Sequence, residues 1–188
     1  RLYTAVKLYL TQISREALDE RDGRRWAEII SLTINLEHVG DVIERILGDI
    51  KDKKIAHRLS FSDAGMRELE DLHAKLVANL RLGLSVFLTG DVKTAQMLLA
   101  EKEKFRDLER SYAAQHLDRL ADQSVQSIET SSLHLDITSD MRRINPFSCS
   151  TAYPILEQAG QLRKSRLRPA AADATGAFAK GGLAARPK

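Results

Sequence analysis

One cysteine, Cys149, stands in 188 residues, so no disulfide can close within the chain, which fits a reducing compartment. Prolines number four and aromatics make up 5%, so the chain holds few helix breakers and few large anchors. Leu, Ala, Glu, Lys and Arg dominate instead, a composition that leans toward helix. No run approaches the ~20 apolar residues that a membrane span needs. The best stretch, residues 80–88, is interrupted by Arg81, Gly83 and Ser85. The first residues open inside an amphipathic pattern without a signal-peptide layout, and the piece itself is expected to be soluble. Also missing are a phosphate-cradling glycine loop, a nucleophile elbow and zinc spacing, so no catalytic residue is expected.

Charge of one sign is scarce once the tail is set aside. Residues 161–188 hold seven basic side chains and one acid, Asp173, leaving 22 basic against 25 acidic in residues 1–160. The body is mildly acidic, so the formal +3 argues for no nucleic-acid partner. Residues 168–188 are Ala- and Gly-rich and read as a disordered basic tail.

What is present is helical periodicity. Leu2, Val6, Tyr9, Leu10 and Ile13 mark a helix over 1–18, and 19–25 reads as a charged break around Gly23. Ile29, Ile30, Ile34, Leu36, Val39, Ile43 and Ile46 predict a second helix over 26–50, followed by a charged connection over 51–59. Ser60 and Ser62 are candidate caps for a third over 60–88, closed by Gly90. Asp91 can cap a fourth, 92–120. A fifth spans 124–144, ended or bent by Pro146, and an amphipathic stretch over 152–167 tolerates Pro154 near its start. No segment alternates as a strand would, so the fold class is all-α.

The helices repeat. A shift of 109 places Arg1, Tyr3, Ala5 and Leu8 on Arg110, Tyr112, Ala114 and Leu117. A shift of 99 places Ile29, Leu36, Glu37 and Asp41 on Ile128, Leu135, Asp136 and Asp140. The order suggests a duplicated three-helix unit. Residues 1–52 form the C-terminal part of the first copy, and 58–167 form the second copy plus a C-terminal helix. The first copy lacks a helix and a half, so an apolar face should be exposed and need covering by missing sequence, a partner or a second copy.

Three acidic pairs fall at helical i,i+4 spacing: Glu37/Asp41, Glu103/Asp107 and Asp136/Asp140. That spacing projects two carboxylates from one face, Cβ atoms ~5–6 Å apart, where they repel unless neutralised. A cation can do this, and carboxylate oxygens suit hard or borderline metals. The bland alternative is a solvated face, favoured for Glu103/Asp107 by Lys102, Lys104 and Arg106. Glu37/Asp41 instead sits among Leu36, Val39, Val42 and Ile43, with Gly40 suggesting close packing or close approach of a ligand. No Glu-x-x-His element completes any pair, which ranks a carboxylate-bridged metal enzyme last. His38, His57, His73, His116 and His134 are scattered and read as surface or core-edge histidines. Cys149 reads as inert and Trp26 as a packing anchor.

Asn35-Leu36-Glu37-His38-Val39-Gly40-Asp41 resembles the Glu-x-x-Gly-Asp signature of PhoU domains, and Glu103 to Arg110 resembles the helix bearing that family's partner motif. The stretch from Glu129 through Asp136 and Asp140 to Asn145, with Ala152 to Glu157, is similar to the end of the PhoU-like region of bacterial sodium/phosphate cotransporters. The resemblance covers about residues 1–163. It implies tandem PhoU-like three-helix bundles of long antiparallel helices, the first N-terminally truncated. It implies a metal cluster (Fe, Mn, Zn or Mg) on Glu37, Asp41, Glu103, Asp107, Asp136 and Asp140. It further implies a regulatory role on the cytoplasmic side of the inner membrane, with a phosphate transporter's membrane domain as partner, in cis or in trans, and a homodimer as a further possibility. A metal-free helical adaptor docking on a transporter or signalling partner is the alternative.

Overall fold

The computed structural model describes residues 2–13, 19–121 and 128–162, all helix, turn or connection without a strand. The expected tail, 168–188, and the start of the predicted fifth helix at 124–127 lie outside the described residues. Among the described residues, six α-helices of given bounds follow one another: α1 Leu2–Ile13, α2 Glu20–Asp49, α3 Asp63–Thr89, α4 Val92–Ala121, α5 Ser131–Cys149 and α6 Ala152–Gln158. A π-helical turn, Ile50–Ile55, prolongs α2.

The break expected around Gly23 is not there. Asp19 caps the helix by accepting from the Asp22 N–H at 2.8 Å, and α2 runs through Gly23. A single cap together with the Arg24–Glu20 pair outweighs the modest helix cost of one glycine. Ser62 caps α3 through the Gly65 N–H, and Gly90 ends it in the left-handed region at φ 66°. Asp91 Oδ2 then accepts from the Thr94 N–H at 2.7 Å, so only Gly90 and Asp91 separate α3 from α4.

Pro146 does not end the fifth helix, which continues to Cys149. Packing supplies the reason. Asn145 Oδ1 accepts from Asn79 Nδ2 at 2.9 Å, and Asn145 Nδ2 donates to the Lys102 carbonyl at 3.3 Å, so the residue just before the proline is pinned to both α3 and α4. Beyond it Cys149 is fully buried. These ties outweigh the one ladder bond that a proline forfeits.

One core joins Val39 and Val42 of α2, Leu69, Leu72 and Leu76 of α3, Phe105 of α4, and Ile137, Met141 and Ile144 of α5. A second joins Val86, Leu98, Cys149, Ala152 and Leu156 at the far end. Gly83 lets α3 close onto α5 there: a Cβ on it would run into the Ser148 carbonyl oxygen, far inside contact distance. Trp26 is the expected anchor, its indole N–H reaching the Leu10 carbonyl at 2.9 Å to hold α1 on α2.

α2 lies antiparallel on α5 and beside α3. Three polar ties run along the α2/α5 seam: Asn35–Ser150, Arg45–Asp140 and Lys53–Asp136. On the α3 side an open apolar groove of about 440 Å³ has Ile43, Ile46 and Leu47 on one wall, Met66 and Leu80 on the other, and Met141 in its floor. Leu36, Ile43 and Leu47 are exposed and extend this groove into an open apolar face.

Candidate functional site

The six carboxylates do not share one environment. Asp140 is buried, and Arg45 grips it with two donors, Nε to Oδ2 at 2.8 Å and Nη2 to Oδ1. Arg143 lies 3.8 Å from the same carboxylate. Asp136, one turn earlier, is solvated and pairs with Lys53 at 3.0 Å, which also holds Asp49 at 3.2 Å. The paired carboxylates raise the pKa of Arg45 and Lys53, in each case chiefly through the hydrogen bond across the seam. The Asp136/Asp140 pair is therefore met by cations of α2 and its π turn.

Asp41 faces a cavity of about 300 Å³ with His38, Arg45 and Arg143, under the Phe147 ring, which tilts against His38 at 5.2 Å between centroids. Glu37 is half-buried and Asp41 exposed. Glu103 pairs with Arg106 along α4, and Asp107 is exposed. Among the described residues no three His, Cys, Asp or Glu side chains converge to hold a metal ion. Three of the six acids are met by cations in ion pairs: Asp140 by Arg45, Asp136 by Lys53 and Glu103 by Arg106. Gly40, read as a point of close approach, is exposed, and a Cβ there would meet nothing within 4 Å.

A second constellation was not anticipated. Glu68 is buried on α3, and Arg119 of α4 clamps it, Nη1 to Oε1 at 2.6 Å and Nη2 to Oε2 at 2.7 Å. His116 and His134, expected at the surface or the core edge, are both 2% exposed and stack at 4.5 Å with an interplanar angle of 10°. His116 shares a hydrogen bond with Ser131 at 2.9 Å. His134 Nε2 lies 3.2 Å from Glu68 Oε2 yet out of line for a hydrogen bond. Gly65 lies against this ring, a Cβ there standing 3.4 Å from His134 Cδ2.

Burial depresses the pKa of both imidazoles. The Arg119 charge adds to the effect at His116, and the stacked neighbour adds to it at His134. Both rings are therefore neutral near pH 7, and Glu68–Arg119 is the ion pair of the cluster. The signal in the sequence was that Glu68 stands one and two helical turns before Leu72 and Leu76, on the apolar stripe of α3, where a buried acid needs a cation. Cys149 is inert as expected: burial pushes its thiol up to about 11.

The sequence pattern of the PhoU domain matches residues 52–153. The chain is 51% identical over 157 residues to the Escherichia coli strain K12 protein named "Putative inorganic phosphate export protein YjbB", covering 84% of this chain and 29% of that protein. It is 50% identical over 160 residues to the Salmonella typhimurium protein of the same name, covering 85% and 30%. The chain thus spans less than a third of the length of these curated relatives. No solved structure matches it. No described helix is long and apolar enough to cross a membrane.

Proposed function

The chain belongs to the PhoU domain family, and from that premise we propose that it is a non-catalytic regulatory domain of a phosphate-transport protein. The observation that carries this reading is the 51% identity, over 84% of the chain, to a protein named for inorganic phosphate export. Its partner is the membrane domain of a phosphate transporter, in cis or as a separate subunit, on the cytoplasmic side of the inner membrane. Sodium coupling is the finer part of the proposal and rests on the likeness of residues 129–157 to sodium/phosphate cotransporters.

Regulation needs an element with two arrangements that something can bias. The α2/α5 seam supports that role, because Arg45–Asp140 and Lys53–Asp136 are charge pairs at or near solvent, whereas α3, α4 and α5 lock through buried side chains. A metal on Glu37, Asp41, Glu103, Asp107, Asp136 and Asp140 belongs to the same proposal as a loaded state. Its donors would be carboxylate oxygens suited to Fe, Mn, Zn or Mg, and when bound it would supply the positive charge that Arg45 and Lys53 supply here. The metal-free adaptor is favoured by one observation, the full engagement of Asp140 by Arg45.

Two measurements separate these readings. Phosphate flux in cells carrying the full-length parent protein is expected to change when Arg45→Glu breaks the seam at unchanged protein level; unchanged flux defeats the regulatory reading. Metal analysis of the purified chain distinguishes the loaded state from the adaptor. A metal ligand at Asp140 predicts metal that is lost in Asp140→Asn and held more tightly in Arg45→Gln, where the competing cation is gone. Protein free of metal, and indifferent to added metal in both variants, leaves the adaptor.

A further inference from the structure

Where α2 hands over to α3, several unusual features fall together. The backbone leaves α geometry for a π turn over Ile50–Ile55, closed by i→i+5 bonds from the Ala56 N–H to the Lys51 carbonyl and from the Leu59 N–H to the Lys54 carbonyl. Arg58 then takes φ 54°, the one positive φ outside glycine among the described residues. Both conformations are uncommon for L-residues and collect at functional positions. Ile55 is 64% exposed and Leu47 60%. Lys51, Lys53, Lys54 and Arg58 lie within the same short stretch against Asp52.

The π turn has a geometric effect. In a continuous α-helix, Ile55 would lie ~80° around the axis from Leu47, eight residues earlier. A π turn winds more slowly, so it carries Ile55 back toward the face of Ile43 and Leu47, with Lys51 between them. The outcome is an exposed apolar edge studded with cations. Lys53 is committed to Asp49 and Asp136 and does not count toward it. Lys51 and Arg58 are exposed, and the Lys54 ammonium sits 5.7 Å over the Phe61 ring at the same corner. Asp52 and Asp63 are the opposing exposed charges.

We propose that this corner docks the domain on an anionic phospholipid surface, with Ile55 and Leu47 entering the headgroup boundary and Lys51, Lys54 and Arg58 on lipid phosphates. An exposed apolar edge ringed by flexible cations has the chemistry of an interfacial anchor. The neighbouring groove is concave and nearly uncharged, and would suit a protein helix instead. The inference is independent of the transport reading, since lipid docking can hold or fail whatever the phosphate flux does.

The full chain is sedimented with large vesicles of phosphatidylcholine, alone or with about a third phosphatidylglycerol, at low and high salt. Binding is expected only to the anionic vesicles and to weaken as salt rises. Lys51→Gln and Arg58→Gln should each weaken it about fivefold, the value of one surface cation. Ile55→Asp should abolish it while the circular dichroism stays helical. No partition onto anionic vesicles overturns the proposal. So does binding unmoved by all three variants, which would place it on the basic residues beyond 162. A mass change in light scattering without vesicle binding would assign the corner to a second copy and overturn it equally.

Discussion

α2 and α5 carry one pattern twice, Glu37/Asp41 on the first and Asp136/Asp140 on the second, and the two pairs meet different fates. Among its thirty residues α2 buries Val39 and Val42, whereas α5, packed among α2, α3 and α4, buries Leu133, Ile137, Met141, Ile144 and the Asp140 carboxylate. Asp41 stays in water, while Asp140 has traded water for Arg45. Helical spacing fixes how two carboxylates point relative to each other, and the neighbouring helices decide what they point at. The difference extends beyond the acids. Helices α3, α4 and α5 form a closed unit with polar ties in its interior, and the α2 arm lies on it through a modest apolar strip and charges at its rim.

The sharpest way to break this contrast is at Gly83, where the closed unit is tightest. A methyl group there collides with the Ser148 backbone oxygen, which cannot rotate away, while Thr151 already bonds the Gly83 carbonyl at 3.0 Å. Gly83→Ala is expected to cost about 3 kcal/mol or more, at the upper end for overpacking. Urea unfolding measures it, and a loss below about 1 kcal/mol would mean that α3 and α5 can separate at little cost.

Next in size is the buried charge of the same unit. Glu68→Gln leaves the Arg119 guanidinium facing a neutral amide inside the bundle, with an expected loss of about 2–3 kcal/mol, reduced from the fully buried case because Arg119 keeps some solvent contact. The stacked histidines add a pH signature. Their folded pKa values are depressed, so in acid the unfolded chain binds protons that the native cluster refuses. Stability should hold above the ordinary histidine value, about 6.5, and fall as the pH drops below it. His134→Leu should flatten the slope of unfolding free energy between neutral and mildly acid pH. An unchanged slope would show that carboxylates, not this pair, set the acid limit.

The contrast also marks what was legible in the sequence. The helices from 63 onward were readable because their cores repeat at helical spacing and their caps are single residues: Ser62, Gly90 and Asp91. Two boundaries misled for one reason, that a residue's local cost says nothing of what its neighbours contribute. Gly23 is carried by the cap at Asp19, and Pro146 by Asn145 and Cys149 packed on either side. The acidic pairs were visible as pairs, but their partners Arg45 and Lys53 are 95 and 83 residues away in the chain. No periodicity connects residues so far apart. The histidine cluster was hidden in the same way, since His116 and His134 meet only once α4 and α5 have packed.

The smallest expected effect lies on the open arm, at Gly40. Glycine inside an exposed helix gives up about 0.8–1 kcal/mol to alanine, because its unfolded backbone is freer. At Gly83 that gain is overwhelmed by collision; at Gly40 a methyl group meets nothing within 4 Å. Gly40→Ala should therefore raise stability, by about 0.5–1 kcal/mol, with a small increase in the melting midpoint. A loss instead of a gain would show that the α2 arm packs more closely than an exposed Gly40 allows. A gain accompanied by altered phosphate flux in the full-length parent would carry the most information. Gly40 shares its stripe with exposed Leu36, Ile43 and Leu47, so that pairing of results would place a close contact from outside this chain on the face that the closed unit of α3, α4 and α5 leaves open.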